Sequence, residues 1–236
     1  MKKQVWRTAI CMSVILALTG CGSDTKGENN MEGDDYSVVY EDDQTEPETG
    51  QSTGSGQTDA PAAQDDAVLK TSTYTIGGVD FNMILVEAGT FTMGSDNTDV
   101  AFSESPAHQV TLTQDYLMGE TEVTEALWNV VMGSSGGSNT HPKTSVTWEE
   151  AHTFAERLTE IAREQELISG DMSFRLPTEA QWEFAAKGGN QSKGYLYAGG
   201  NDIDEVAVTL ENSGSSSPID VKTKLPNELG LYDMSG

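Results

Sequence analysis

Oxygen-bearing side chains crowd one short stretch in the second half of the chain. Between positions 202 and 212 the stretch carries Asp202, Asp204, Glu205, Glu211 and Asn212. A hard cation such as calcium takes roughly six to eight oxygen ligands, and backbone carbonyls of an irregular loop usually supply some of them. The stretch therefore predicts a calcium site. A solvated acidic loop is the alternative, because such loops are common in a chain of this charge.

The sequence offers few residues for a zinc, hydrolase or nucleotide-binding site. The three histidines are His108, His141 and His152, and none stands at ligand spacing from another or from a cysteine, so zinc is not expected. The serines lack the glycine-flanked pattern of a hydrolase nucleophile, and no glycine-rich phosphate loop precedes a helix. Hydrolase and nucleotide-binding functions therefore have no residues to carry them, and no catalytic residue can be named.

The chain is strongly acidic. Its 236 residues include 38 acidic and 13 basic side chains, which gives a formal net charge of -25. Nucleic acids and anionic lipid surfaces would be repelled, so neither is expected as the main partner. The acidic excess favours a well-solvated surface and cation binding.

The N-terminus has the layout of an export signal. Lys2, Lys3 and Arg7 precede an apolar run over 9–18, which is shorter than a membrane-spanning helix. Leu18-Thr19-Gly20-Cys21 then ends the run with small residues before a cysteine. Residues 1–21 thus resemble a bacterial lipoprotein signal peptide with its lipobox.

That resemblance implies a lipid anchor. Cys21 would become the lipidated N-terminus, carrying palmitate, and Cys11 would be discarded with the signal. Loss of the three basic residues takes the net charge from -25 to -28 and leaves the mature chain as given without a free thiol. The expected location is the cell envelope, and Gly22 after the cysteine favours the outer membrane by analogy with lipoprotein sorting.

Residues 22–72 predict an acidic disordered linker. The segment is poor in apolar residues and contains a Gly/Ser/Gln run over 51–57, so it cannot bury enough surface to offset its chain entropy. It would hold the domain away from the membrane. Tyr36–Tyr40 is its β-prone island, either a docking strand or a chance apolar cluster.

The remainder alternates short strands and short helices. Strands are predicted over 81–93, with a break at 88–90, over 108–118, and over 229–234, where Leu229, Leu231 and Met234 suggest pairing with a following strand. Thr124 and Thr147 are predicted helix N-caps, and the second helix carries an apolar stripe to about Leu167. Periodicity alone supports a mixed α+β domain.

The stretch Arg175 to Gly189, RLPTEAQWEFAAKGG, is the best-defined local motif. Thr178 and Gln181 form a predicted capping box, and Trp182 is expected to face the core. Arg175 could pair with a buried carboxylate, Glu179 or Asp233. Taken alone, the motif predicts a structural helix.

The same stretch resembles the central signature of the formylglycine-generating enzyme (sulfatase-modifying factor) family. Further segments of likeness follow the family's order: MILVEAGTFTMGS, PAHQVTL, GETEVTEALW, SVTWEEA and LPNELGLYDMSG. The resemblance implies a domain over 73–236 with a fold related to C-type lectins, little regular secondary structure, and a C-terminal part missing from the sequence. It also implies structural roles for six signature residues: Arg175, Trp182, Gly188, Asn227, Gly230 and Asp233.

Cofactors follow from the same resemblance. Family members bind calcium around an asparagine that falls on Asn212, with the carbonyl of Ser213 beside it. The family enzyme oxidises a sulfatase cysteine to formylglycine with copper and two cysteines, since soft thiolates suit the cuprous ion. Those cysteines would lie beyond Gly236, so copper is expected only if a downstream cysteine pair exists.

Three functions compete. The first is a membrane-anchored envelope lipoprotein with a non-catalytic binding or assembly role toward an envelope protein or a surface ligand. The second is a formylglycine-generating oxidoreductase whose catalytic cysteines lie past residue 236. The third, an iron-dependent relative acting on a small thiol or histidine derivative, would need histidine ligand spacing that is missing here. The first is preferred, because the lipobox, the linker and the missing thiols all agree with it.

Overall fold

A five-stranded antiparallel sheet organises the domain. The computed structural model describes residues 17–20, 70–96, 104–137, 140–215 and 217–236. The strands are β1 (Ala17–Gly20), β2 (Thr71–Ile76), β3 (Val79–Val86), β4 (Gly89–Met93), β5 (His108–Leu112), β6 (Tyr116–Gly119) and β7 (Met172–Arg175). The main sheet has the order β2-β3-β6-β1-β7, and β4 pairs with β5 in a second, two-stranded sheet.

The two strands predicted between 81 and 93 are present, but in different sheets. Strand β3 pairs with β2 and β6, whereas β4 pairs with β5, where Phe91 lies opposite Val110. The break between them is therefore a crossing from one sheet to the other. Strand β2 begins at Thr71, two residues before the predicted domain boundary at 73.

Strand β1 is an inner strand of the main sheet and lies between β6 and the edge strand β7. Ala17 is fully buried and pairs with Met118 on one side and Arg175 on the other. These residues belong to the predicted signal peptide and end directly before Cys21. Cys21 and the linker over 22–69, including Tyr36–Tyr40, lie outside the described residues, so lipidation and the tether stay predictions.

Five α-helices and a short 3-10 helix over Gly189–Gln191 complete the described fold. The α-helices are α1 (Glu125–Met132), α2 (Trp148–Glu164), α3 (Glu179–Ala186), α4 (Ile203–Val206) and α5 (Leu210–Ser213). Side-chain caps at Thr124, Thr147 and Thr178 begin the first three, as predicted. Helix α2 ends at Glu164, earlier than the expected Leu167, because Glu166 adopts a left-handed backbone that stops it.

Two hydrophobic clusters fill the fold. In the first, α1 and α2 pack on the sheet through Phe154, whose ring stacks on Trp128 at a centroid distance of 4.9 Å. In the second, α3 packs against β4, β5 and β6 around Phe184. The two clusters consist of different buried side chains. The buried hydrophobic residues of α3 belong only to the second, whereas those of α1 and α2 belong to the first.

The C-terminal segment departs from its prediction. Leu229, Leu231 and Met234 are buried in the second cluster, but residues 226–236 form turns and bends with no strand. Buried side chains here reflect a loop folded onto α3. None of the described helices is long and apolar enough to cross a bilayer.

Candidate functional site

The signature motif builds the start of α3 through Gln181. The Gln181 Oε1 accepts hydrogen bonds from the Thr178 backbone N–H at 3.1 Å and from Arg175 Nη2 at 2.9 Å. Arg175 Nη1 also donates to the carbonyl of Leu176 at 2.9 Å. Arg175 thus braces the turn between β7 and α3 through the Leu176 carbonyl and the Gln181 side chain.

The inward face of α3 is carried by a residue that sequence reasoning passed over. Phe184 is fully buried and lies 5.1 Å from the ring of Phe91, whereas Trp182 is half-buried against the same cluster. Gly188 ends the helix with a φ of 91°, and a Cβ there would lie 2.8 Å from Glu228 Oε2. The left-handed backbone therefore favours glycine at this position, and any larger residue would also have to displace the Glu228 carboxylate.

Asn227 fastens the C-terminal segment to the end of α3. Its Nδ2 donates to the carbonyls of Ala185 at 2.7 Å and Ala186 at 3.3 Å. Its Oδ1 accepts from the backbone N–H groups of Leu229 at 3.0 Å and Leu231 at 3.1 Å. The side chain is only 5% exposed. Gly230 completes the turn with a φ of 84° and donates to the Asn227 carbonyl.

Three carboxylates and one lysine meet beside the end of β6. Lys222 Nζ lies 2.8 Å from Glu120 Oε1, and the Lys222 backbone N–H donates to Asp233 Oδ2 at 2.8 Å. Glu122 is 9% exposed, and its Oε2, like Asp233 Oδ1, is buried without a hydrogen-bond partner among the described residues. The Lys222 ammonium group therefore forms an ion pair with Glu120. Glu122 and Asp233 each keep one buried carboxylate oxygen without a hydrogen-bond partner among the described residues.

Burial shifts the titration of this pair. It raises the pKa of Glu122 to about 8, and the nearby charge of Asp233 adds to the rise. Burial also raises the pKa of Asp233, against the opposing influence of Lys222. Glu122 is thus held protonated at neutral pH, which avoids two adjacent buried charges. No local sequence pattern marks Glu122 as buried, because its neighbour Asp233 is distant in the chain.

The predicted calcium ligands form a helix cap. Asn212 Oδ1 accepts from the Thr209 backbone N–H at 2.8 Å, and its Nδ2 donates to Asp204 Oδ1 at 2.9 Å. Ser213 Oγ donates to the carbonyl of Ser215. Within the described ranges, no group of three or more acidic, histidine or cysteine side chains could hold a metal. This donor set falls short of a calcium shell, and calcium binding stays a prediction.

An open groove lies along the loop before α4 and has a volume of about 860 Å³. We call it the acidic groove, and its lining consists of Tyr195, Leu196, Tyr197, Gly199, Gly200, Asn201, Asp202, Ile203 and Glu205. The sequence marked this loop only by its acidic residues. Its aromatic side chains are what give the groove its walls.

Most of the domain matches a known protein family. A family model described as the sulfatase-modifying factor enzyme 1-like domain matches residues 79–236. The chain belongs to this family. The match spans β3 to the C-terminal loop and includes both the signature helix and the Asn227 turn, so the predicted family is confirmed.

Relatives of the family extend the comparison. The chain is 29% identical over 202 residues to "Chaperone protein LppX" of Paenibacillus barcinonensis, which covers 67% of this chain and 69% of that protein. A serine/threonine-protein kinase, pkn1 of Chlamydia pneumoniae, is 33% identical over 96 residues, which is 41% of this chain and 12% of the kinase.

Two solved structures show the fold. Treponema denticola variable protein 1 superimposes with a TM-score of 0.57 at 31% identity, covering 69% of this chain and 72% of that one. PvdO from Pseudomonas aeruginosa gives a TM-score of 0.50 at 20% identity, covering 69% of this chain and 70% of that one. The predicted α+β fold of the formylglycine-generating enzyme family, related to C-type lectins, is confirmed.

Proposed function

We propose that this protein is a lipid-anchored lipoprotein of the bacterial cell envelope whose family domain binds and assists other proteins without catalysing a reaction. The long alignment with a relative named as a chaperone carries the proposal, because it spans 202 residues and most of both chains. Asn227, Arg175 and Gly188, which the family signature contributes, make structural contacts in the described fold. In this proposal these residues stabilise the scaffold that presents the binding surface.

Anchoring rests on the lipobox. Cys21 follows an apolar run and small residues, the arrangement expected of a lipidation site, and Gly22 favours the outer membrane as the destination. The acidic segment after it would act as the tether. Calcium is the cofactor proposed near Asn212, on the resemblance alone.

Replacing Cys21 is expected to abolish the lipid anchor. In cells fed a clickable palmitate analogue, the Cys21→Ser protein should lose its label completely and leave the membrane fraction. Cys11→Ser is the matched control, since Cys11 lies in the signal and its label should be unchanged. Label that persists in Cys21→Ser would contradict the anchoring.

The binding role predicts suppression of aggregation. Purified full-length protein should lower the light scattering of reduced, unfolding lysozyme when the two are mixed in equal amounts, because exposed apolar segments of the client are covered. An unrelated acidic protein at the same concentration is the control. Equal scattering in both mixtures would contradict the proposal.

The enzymatic alternative is decided in parallel. The same preparation, supplied with copper and a peptide that carries a sulfatase-type cysteine, should leave the peptide mass unchanged. Formation of a formylglycine peptide would replace the binding function with oxidation.

A further inference from the structure

The acidic groove combines apolar walls with carboxylates at its mouth. Tyr195, Tyr197 and Ile203 are half-buried and line it, while Asp202 and Glu205 are exposed. No basic side chain belongs to the lining, and the two nearby ammonium groups are those of Lys193, over the Tyr195 ring, and Lys224, which donates to the Asp204 carbonyl. A volume of about 860 Å³ lies in the range of ligand sites, but an open shape suits a chain segment better than an enclosed small molecule.

The walls are held in place before any partner arrives. Tyr197 and Gly200 exchange two backbone hydrogen bonds, at 2.9 and 3.2 Å, and close a tight turn. The Ala198 backbone N–H donates to Ser235 Oγ at 2.9 Å, which ties the turn to the C-terminal segment. Gly199 packs so closely that a Cβ would lie 2.5 Å from the Pro226 carbonyl. A preformed wall loses little conformational entropy on binding.

The groove already shows which charge it accepts. Lys193 Nζ lies 5.9 Å from the centre of the Tyr195 ring, so this aromatic face holds an ammonium group of the chain itself. The Glu205 carboxylate makes no hydrogen bond or ion pair within the described part of the chain. Asp202 caps α4, so Glu205 is the lining carboxylate that remains available to a partner, and a cationic group would be attracted to it.

Exposed apolar surface continues beyond the groove. The Leu225 backbone N–H donates to the Glu205 carbonyl at 3.0 Å, and the Leu225 side chain is 59% exposed. The backbone bond brings an exposed leucine and Glu205 onto adjoining segments, so one partner segment that lies across both could contact an apolar side chain and a carboxylate. A partner that satisfies both must carry basic and apolar side chains close together.

We propose that the acidic groove binds an extended, basic and apolar segment of a partner protein, with lysine or arginine at Glu205 and apolar side chains against Tyr197 and Leu225. The inference rests on the proposed binding function and specifies its surface and the chemistry of its client. Backbone groups of the segment would follow the loop between Tyr195 and Ile203.

The test measures binding of a defined probe to the purified full chain. The probe is a fluorescein-labelled peptide of lysine, leucine and serine, and its matched control has glutamate at every lysine position. Fluorescence anisotropy should show binding of the basic peptide only. Glu205→Lys should weaken that binding roughly five- to tenfold. The same change at Glu160, an exposed position on α2, should leave affinity within about twofold.

A second variant separates charge from apolar contact. Leu225→Ser removes the exposed leucine without touching the carboxylates, and it should weaken the basic peptide several-fold while leaving its salt dependence intact. In Glu205→Lys the dependence on salt between about 50 and 300 mM should fall, because one attractive charge has been reversed.

The outcomes distinguish the two proposals. Equal affinity of the basic peptide for Glu205→Lys and the parent would overturn the groove assignment, as would absence of peptide binding to the parent. In either case suppression of lysozyme aggregation by the parent would keep the binding function. Loss of both peptide binding and suppression in the parent would overturn the function as well.

Discussion

Replacing Asn227 by alanine is expected to lower the free energy of unfolding by about 3 kcal/mol. The amide makes four hydrogen bonds to backbone groups, two at the end of α3 and two in the loop that follows it. Alanine would leave the N–H groups of Leu229 and Leu231 buried without these acceptors. Urea unfolding of the full chain, followed by tryptophan fluorescence, measures the difference.

Two further variants show whether the bonds or the side-chain volume matter. Asn201→Ala removes an exposed amide with one bond to the Leu196 N–H, and we expect a loss below about 1 kcal/mol. Asn227→Asp keeps the volume but places a carboxylate oxygen against the carbonyls of Ala185 and Ala186, so it should be at least as harmful as alanine. Similar losses of unfolding free energy for Asn227→Ala and Asn201→Ala would show that the four hydrogen bonds of Asn227 do not hold the C-terminal segment on α3.

Glu122→Gln is expected to make the protein more stable in alkali by several kcal/mol. The pKa of Glu122 is about 8 in the folded chain and has its ordinary value of 4.5 in the unfolded chain. Between these values the folded chain holds a proton that the unfolded chain has released. The contribution of Glu122 to stability is therefore greatest at low pH and falls by about 1.4 kcal/mol per pH unit as the pH rises from 4.5 toward 8.

The glutamine variant removes that slope because it has no proton to lose. Near pH 5 the parent and Glu122→Gln should have similar unfolding free energies, and near pH 9 the variant should exceed the parent by about 4 kcal/mol. Glu160→Gln, which changes an exposed carboxylate, should follow the parent at every pH. Parallel curves for the parent and Glu122→Gln would show that the buried pair is not protonated.

Local capping chemistry could be predicted from sequence. Thr124, Thr147 and Thr178 each stand before an apolar stripe, and in two of them a Glu or Gln three residues later closes the capping box. Such bonds depend on neighbours within one helical turn, so the sequence contains everything that determines them. The same holds for the apolar stripe of α2.

Sheet partners could not be predicted in the same way. Strands β3 and β4 adjoin in sequence, yet β3 pairs with β6 and β4 with β5, because each edge is settled by packing from distant segments. The apolar alternation of Leu229 and Leu231 suggested a strand. Bonds from Asn227, which are invisible to periodicity, fold these residues into a buried loop instead.

The candidate site shows the same division. The acidic composition of the loop after Gly199 was evident from the sequence. The sequence did not show that Tyr195 and Tyr197 line a groove, because that depends on the turn between Tyr197 and Gly200. Glu122 looked like one more acidic residue of a very acidic chain. Its burial is a tertiary property, set by the C-terminal segment that places Asp233 beside it.

Strand β1 has a consequence for the timing of export. Its residues Ala17–Gly20 are the last before Cys21, and they are paired on both sides by β6 and β7. A signal peptidase requires an accessible, extended substrate, which this pairing denies it. The predicted cleavage before Cys21 and closure of the sheet around β1 would therefore exclude each other in time. A chain cut first would lack the strand that pairs with both β6 and β7, whereas a chain that folds first would shield the predicted processing site.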